Sequence, residues 1–317
     1  MKRVNNLYQN ICSPENLLLA DKNARRNKGA QYGIRMHDQN RENNLQQLRE
    51  MLLNKTYRTS AYTTFKIYEP KEREVFRLPY FPDRIAHHAI MNVLGPVFTA
   101  VFTADSYSCI KGKGIHGAAE AVKMALKDTG GTQYCLKLDI RKFYPSIDHA
   151  TLKIQLQRKF KDRDLLDLLF GIIDSAQGLP IGNYLSQFLA NFYLTGFDHW
   201  IKEEKGIKDY FRYADDLVIL AGTKEELHQL LGEIKTYLSD NLLLTVKGDY
   251  QVFPVDARGI DFVGYVFYHT HTRLRKSTKK NFARKVSKGI SPESKASYIG
   301  WTKHCNSKHL IKKLLAA

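Results

Sequence analysis

Cysteine is scarce in this chain of 317 residues: only Cys12, Cys109, Cys135 and Cys305 are present. None are spaced as Cys-x-x-Cys, which argues against structural zinc and against a disulfide framework, and fits reduced thiols in a cytosol. Long apolar runs are missing too. No stretch of about 18 apolar residues occurs, so no helical membrane span is expected. The opening Met1-Lys2-Arg3-Val4-Asn5-Asn6 lacks the apolar core of a secretory signal, and a cytoplasmic location is expected. Acid is nearly absent from the C-terminal end: Thr270 to Ala317 holds 13 Lys or Arg and a single acid, Glu293. Residues 1–60 carry 11 bases against 5 acids, and the centre carries 25 against 26. The net charge of +17 therefore sits at the two ends. Basic ends around a neutral centre imply a polyanion bound through its phosphates, in a salt-sensitive and sequence-tolerant way.

What is present is a set of carboxylates in suggestive surroundings. Tyr213-Ala214-Asp215-Asp216 lies between apolar runs, with Leu217-Val218-Ile219-Leu220 after it, and reads as a hairpin with Ala-Asp-Asp at its tip. Alone, Asp-Asp on a turn is more often a solvated turn. Upstream, Leu136, Leu138 and Ile140 alternate on one strand face, which puts Lys137 and Asp139 on the other. Asp139 thus ends a buried strand, and Pro145 stops it before a helix starting near His149. Carboxylates from two neighbouring strands suffice for two divalent ions, which is a phosphoryl-transfer arrangement. A third segment, Gln177-Gly-Leu-Pro-Ile181-Gly182-Asn183, is a loop that opens a helix carrying Leu185, Phe188, Leu189 and Phe192. Such a loop lets the backbone approach a nucleotide closely.

The remaining elements follow from pattern. Ser13-Pro14 caps a helix through Leu17, and a second helix is expected from His37 to Leu53. Residues 57–80 read as strands, Ile85–Leu94 as a helix ending before Pro96, and Ile115–Lys127 and 223–239 as helices; a strand is expected to carry Lys247. Strands alternating with helices around an antiparallel hairpin argue an α+β fold.

Taken together, these motifs resemble those of reverse transcriptases. Tyr-Ala-Asp-Asp resembles the family's Tyr-x-Asp-Asp box, and Leu138-Asp139-Ile140 with Phe143-Tyr144 resembles its first catalytic motif. The Gly-rich loop resembles its nucleotide-pocket motif. Arg77-Leu-Pro-Tyr-Phe-Pro-Asp83-Arg84 resembles a fingers segment, Leu244-Thr-Val-Lys247 the motif behind the active site, and Phe262-Val263-Gly264-Tyr265 the primer grip. The resemblance covers nearly the whole chain. It implies a right-hand polymerase fold with fingers, palm and short helical thumb: a helical fingers extension over 1–60, interleaved fingers and palm over 61–268, and a basic thumb over 269–317.

For the site, the resemblance implies Asp139, Asp215 and Asp216 as catalytic ligands of two Mg²⁺ (Mn²⁺ as a substitute), with the Ile140 carbonyl adding a ligand. It makes Tyr144 a steric gate against ribonucleotides. Arg73, Arg77 and Arg84 are candidates for gripping the triphosphate, with the choice among them open; Gly182 and Gln187 join the nucleotide pocket, and Lys247 is a candidate general acid. Lys276, Lys279, Lys280, Arg284, Lys285 and Trp301 are expected on the duplex.

Ile181-Gly182 followed by Ser186-Gln187 resembles the reverse transcriptases of diversity-generating retroelements, as do Gln251–Tyr265 and Ser297–His304. The resemblance implies that group II intron and retroviral enzymes usually carry Gln where Ile181 stands. That subfamily implies a bacterial or phage gene, adenine-directed miscopying, RNA template, DNA or RNA primer, deoxynucleotides, a structured template-repeat RNA and a small basic accessory protein. A retron or intron-type enzyme, a non-catalytic RNA-binding protein on this fold, and an RNA-dependent RNA polymerase are the alternatives. Tyr144 at the gate disfavours the last.

Overall fold

The computed structural model describes residues 2–68 and 72–315. Its packing divides the chain into two compact units, Met1–Phe102 with Lys142–Thr195, and Thr103–Arg141 with Gly196–Ala317.

The first unit is mainly helical. It contains α1 (Tyr8–Ile11), α2 (Pro14–Ala24), α3 (Tyr32–Gln39), α4 (Arg41–Leu53), α5 (Ile85–Thr99), α7 (His149–Lys159), α8 (Arg163–Ile173) and α9 (Tyr184–Tyr193), with a hairpin of β1 (Thr63–Ile67) and β2 (Arg73–Arg77). Helix α2 starts as its sequence requires: the Ser13 side chain accepts from the Asn16 N–H at 3.2 Å, and Pro14 takes the first helical position. Its Leu17, Ala20 and Ala24 are buried, and the helix packs on α5, which in turn packs on α9.

Two expectations are corrected in this unit. The helix expected from His37 to Leu53 is broken at Asn40, whose φ of −137° is not helical. The break lets His37 and Arg41, on either side of it, face one buried carboxylate: His37 Nε2 lies 3.4 Å and Arg41 Nε 2.7 Å from Asp21. Helix α5 also runs through Pro96 to Thr99. Proline removes one helical N–H, but the last turn stays anchored by Phe98, which is fully buried.

The second unit is built on a sheet in the order β4-β5-β3-β6: β3 (Tyr134–Asp139), β4 (Tyr210–Tyr213), β5 (Asp216–Ala221) and β6 (Gln251–Pro254), all antiparallel. Cys135, Leu136 and Leu138 are buried in β3, whereas Lys137 and Asp139 stay partly accessible, as the alternation required. Helix α6 (Gly114–Ala125) packs on β4, and α11 (Lys224–Leu242) on β3, β5 and β6. The short α10 (Thr195–His199) and α12 (Val255–Arg258) are connections. A second sheet, β7 (Ile260–Phe262), β8 (Tyr265–Phe267) and β9 (Thr272–Leu274), leads into α13 (Lys276–Ser287), α14 (Pro292–Thr302) and α15 (Lys308–Leu315). The strand expected to carry Lys247 does not form. Leu243 leaves α11 in the left-handed region, and the segment after it makes only a single bridge, Ile140 to Val246.

Candidate active site

Antiparallel register builds the centre of the second unit. Asp139 ends β3 directly opposite Asp216, which starts β5. Tyr213 pairs with Asp216, so Ala214-Asp215 is the tight turn between β4 and β5. The Ile140 N–H donates to the Asp215 carbonyl at 3.2 Å, and the Lys247 N–H donates to the Asp139 carbonyl at 2.8 Å. Asp139, Ile140, Asp215 and Asp216 are thus held at one end of the sheet by backbone bonds.

The turn is strained, because Ala214 has φ +56°, a region that a side chain disfavours. Its carbonyl accepts from Arg212 Nη1 at 3.1 Å. Arg212 is fully buried, and so is its partner Asp198. Arg212 Nε and Nη2 donate to the two carboxylate oxygens of Asp198 at 2.7 and 2.5 Å. Nη2 also donates to Ser106 Oγ at 2.9 Å, while the Ser106 and Tyr210 hydroxyls donate to Asp198 at 2.9 and 2.7 Å. This network clamps β4 immediately before the carboxylate turn. Its one signal in the sequence is a lone arginine inside an otherwise aromatic strand.

The Asp216 carboxyl is perturbed by its surroundings. Burial pushes its carboxyl up to about 6; Asp139 and Asp215 add to the rise, and Lys137 and Arg275 oppose it. The side chain as a whole keeps 29% of its surface, but Oδ1 is covered and has no hydrogen-bond partner. The nearest cation, Lys137 Nζ, is 3.8 Å from that oxygen. An orphaned, buried carboxylate oxygen beside two further carboxylates is a hard-oxygen donor set, which fits a divalent ion such as Mg²⁺ or Mn²⁺. The carboxylates are neighbours in register without being drawn into a preformed cage: among the described residues no group of three or more His, Cys, Asp or Glu is arranged to hold a metal.

Also in the second unit, Phe262 and Tyr265 are buried on either side of a turn made by Val263 (φ +42°) and Gly264 (φ +88°). A Cβ on Gly264 would come within 2.2 Å of the Trp301 ring, and Tyr265 Oη donates to the Trp301 carbonyl at 3.0 Å. Trp301, expected on the duplex, turns most of its ring onto this hairpin; the rest lines a cleft with Thr278, Asn281, Lys285 and Tyr298. Lys276, Lys279, Lys280, Arg284 and Lys285 are all exposed on α13, while Phe282 is buried and stacks on Tyr298. The Lys247 side chain pairs with Asp249.

The first unit holds the other expected residues. The Ile181 carbonyl accepts from the Phe76 N–H at 2.8 Å, tying the Gly-rich loop to β2. Gly182 (φ +115°) makes that approach feasible, since a Cβ there would lie 2.5 Å from the Phe76 carbonyl oxygen. The other end of the loop is tied to Tyr144, whose carbonyl accepts from the Leu179 N–H at 2.9 Å. Gln187 is exposed on α9, one turn from the half-exposed Tyr184. Of the three candidate arginines, Arg73 and Arg77 occupy opposite ends of β2, and Arg84 precedes α5. Burial lowers the Arg84 pKa and the charge of Arg77 lowers it further, so these two are neighbours. Lys28, unnoticed in the sequence, is lowered by burial and by Arg84.

Comparison with known proteins gives the family and the fold. Residues 70–267 match the reverse transcriptase (RNA-dependent DNA polymerase) family, and the chain belongs to that family, which works with divalent metal ions. Among curated relatives, protein YkfC of Escherichia coli K12 is 26% identical over 300 residues, covering 80% of this chain and 76% of YkfC. The group II intron-encoded protein LtrA of Lactococcus lactis is 21% identical over 360 residues, covering 89% of this chain and 59% of LtrA. Apo telomerase from Candida tropicalis superposes with a TM-score of 0.53 at 12% identity, over 70% of this chain and 49% of the telomerase chain. The fold is therefore the right-hand polymerase fold, and the chain spans only about half to three-quarters of these proteins.

Proposed function

We propose that the chain is an RNA-directed DNA polymerase whose reaction centre is Asp139, Asp215 and Asp216, with the Ile140 carbonyl beside them. The observation that carries this is the register pairing of Asp139 with Asp216 next to the Asp215 turn. The three carboxylates would hold divalent ions, which when bound supply charge to the attacking primer 3′-hydroxyl and the leaving pyrophosphate. Asp216 contributes an oxygen with no competing hydrogen bond, and Arg212 keeps the Asp215 turn in place. Arg73, Arg77 and Arg84 are the candidate guanidinium groups for the triphosphate, Tyr144 is the candidate gate against a 2′-hydroxyl, and Gln187 is assigned to nucleotide binding. Lys247 is kept as a proton donor to pyrophosphate, and the exposed cations of α13 hold the primer–template backbone. RNA template, primer and deoxynucleotides are the partners.

Within the family we assign the chain to diversity-generating retroelements. Ile181-Gly182 and Ser186-Gln187 support this: an aliphatic residue in place of Gln removes a polar contact that discriminates geometry. A structured template-repeat RNA and a small basic accessory protein belong to this reading. An intron-type enzyme is the second reading, favoured by the similarity to LtrA. The test is primer extension on RNA with Mg²⁺ and deoxynucleotides, with products sequenced beside an Asp215→Ala/Asp216→Ala control. Control-sensitive product with errors at template adenines supports the assignment; accurate product favours the intron-type reading. No product, even with the accessory protein and RNA added, overturns the polymerase reading.

A further inference from the structure

Lys137 belongs to this centre without belonging to its carboxylate motifs. It lies in β3 two positions before Asp139, on the same strand face. Its ammonium donates to the Asp261 backbone carbonyl and stands 3.8 Å from Asp216 Oδ1, close enough to attract that oxygen but beyond a hydrogen bond. Asp261 is itself fixed: Arg275 Nε donates to its Oδ1 at 2.5 Å, and the Arg275 N–H donates to the Gly264 carbonyl at 3.0 Å. The lysine charge is therefore not swinging on a flexible stem. It is pinned by a neutral acceptor in the β7–β8 hairpin, at a fixed place beside the carboxylates.

We propose that Lys137 is a positioning residue that acts as the resident countercharge of Asp216 and sets how tightly the carboxylates take a divalent ion. This rests on the assignment of Asp139, Asp215 and Asp216 as metal ligands. Three carboxylates at one strand end repel one another, and a fixed monovalent cation offsets that repulsion when no divalent ion is bound. Because the anchor is a backbone carbonyl, Lys137 yields the Asp216 oxygen to an incoming ion without losing its own hydrogen bond. The same charge then repels the ion. Like charges a few ångström apart repel appreciably even in water, and removing the lysine charge should therefore tighten divalent binding by about tenfold.

The experiment is direct Mn²⁺ titration of the full chain, with free Mn²⁺ read by electron paramagnetic resonance and no turnover required. Wild type is compared with Asp139→Asn, Lys137→Met, Lys137→Gln and Lys137→Arg, each checked by a thermal melt. Lys137→Gln keeps a donor for the Asp261 carbonyl, so it separates the charge from the tether even where Lys137→Met does not fold. The expected result is binding lost in Asp139→Asn, about tenfold tighter in Lys137→Gln and Lys137→Met, and near wild type in Lys137→Arg. Asp139-dependent binding with no gain in Lys137→Gln overturns this inference alone. Wild-type binding that Asp139→Asn leaves intact overturns the metal-site reading and the inference with it.

Discussion

Arg212→Met tests the support of the carboxylate turn. The substitution keeps an unbranched side chain of similar length and removes a guanidinium with no exposure to solvent. Among the described residues, Asp198, equally buried, would then keep only the Ser106 and Tyr210 hydroxyls as donors. Breaking a buried ion pair from one side costs about 3–5 kcal/mol, because the remaining charge is left uncompensated. Loss of the bond to the Ala214 carbonyl adds roughly 0.5–1.5 kcal/mol. A melting temperature lower by on the order of 10 °C is expected. The double variant Arg212→Met/Asp198→Leu removes both charges and should recover most of that loss, since apolar replacement of a whole buried pair is often neutral. Activity should not recover with it. The Ala214 carbonyl still lacks its donor in the double variant, and the positive φ at Ala214 is then unsupported, so the Asp215 carboxylate loses its placement. Thermal melts give the first quantity, and primer extension under saturating Mg²⁺ gives the second. A single variant that costs less than about 1 kcal/mol, or a double variant no more stable than the single, would refute the claim that an uncompensated buried charge dominates. A double variant with full activity would refute the claim that Arg212 holds the turn.

Three further outcomes follow from single sites. His87 is buried, its Nε2 has no hydrogen-bond partner, and burial lowers its pKa from 6.5 to about 4. The unfolded chain binds the proton first, so stability is full above pH 6.5 and falls as pH drops toward 4, by up to about 3 kcal/mol from this group. His87→Leu should flatten the urea-midpoint slope between those limits, and an unchanged slope counts against it. Gly182→Ala forces a Cβ within 2.5 Å of the Phe76 carbonyl oxygen at φ +115°. A cost of roughly 1–3 kcal/mol and a raised KM for deoxynucleotides are expected, and wild-type melting would show that the loop relaxes freely. Ile181→Gln should lower misincorporation opposite template adenine in sequenced products, while an unchanged error spectrum removes Ile181 from the fidelity argument.

The parts of this molecule that were legible in sequence are those set by local chemistry. The Ser13-Pro14 cap, the alternation of β3, and the hairpin around Ala214-Asp215 each depend on a few adjacent residues, and each formed as expected. The break at Asn40 was not legible, because it serves Asp21, which lies elsewhere in the chain and gathers Arg25, Arg41 and Tyr80 around one carboxylate. Pro96 works in the opposite direction: its local penalty predicts a helix end, but the helix runs on past it to the buried Phe98. Trp301 looked like a free aromatic among cations, and only the structure shows that the absent side chain of Gly264 makes room for it.

The centre itself shows why a motif locates chemistry without explaining it. Gathering Asp139, Asp215 and Asp216 is unfavourable by mutual repulsion, and Ala214 adds backbone strain. Neither cost is relieved by the motif residues. The strain is borne by Arg212, held by Asp198 and Ser106; the repulsion is eased by Lys137, held by Asp261. These supports come from α10, from the loop before α6, and from the β7–β8 hairpin, far apart in sequence and brought together by the fold of one unit. Grafting the tetrapeptide alone onto another hairpin would transfer the repulsion and the strain without their compensation. The supporting residues, more than the carboxylates, are therefore where variation should tune the charge balance and turn geometry of this centre.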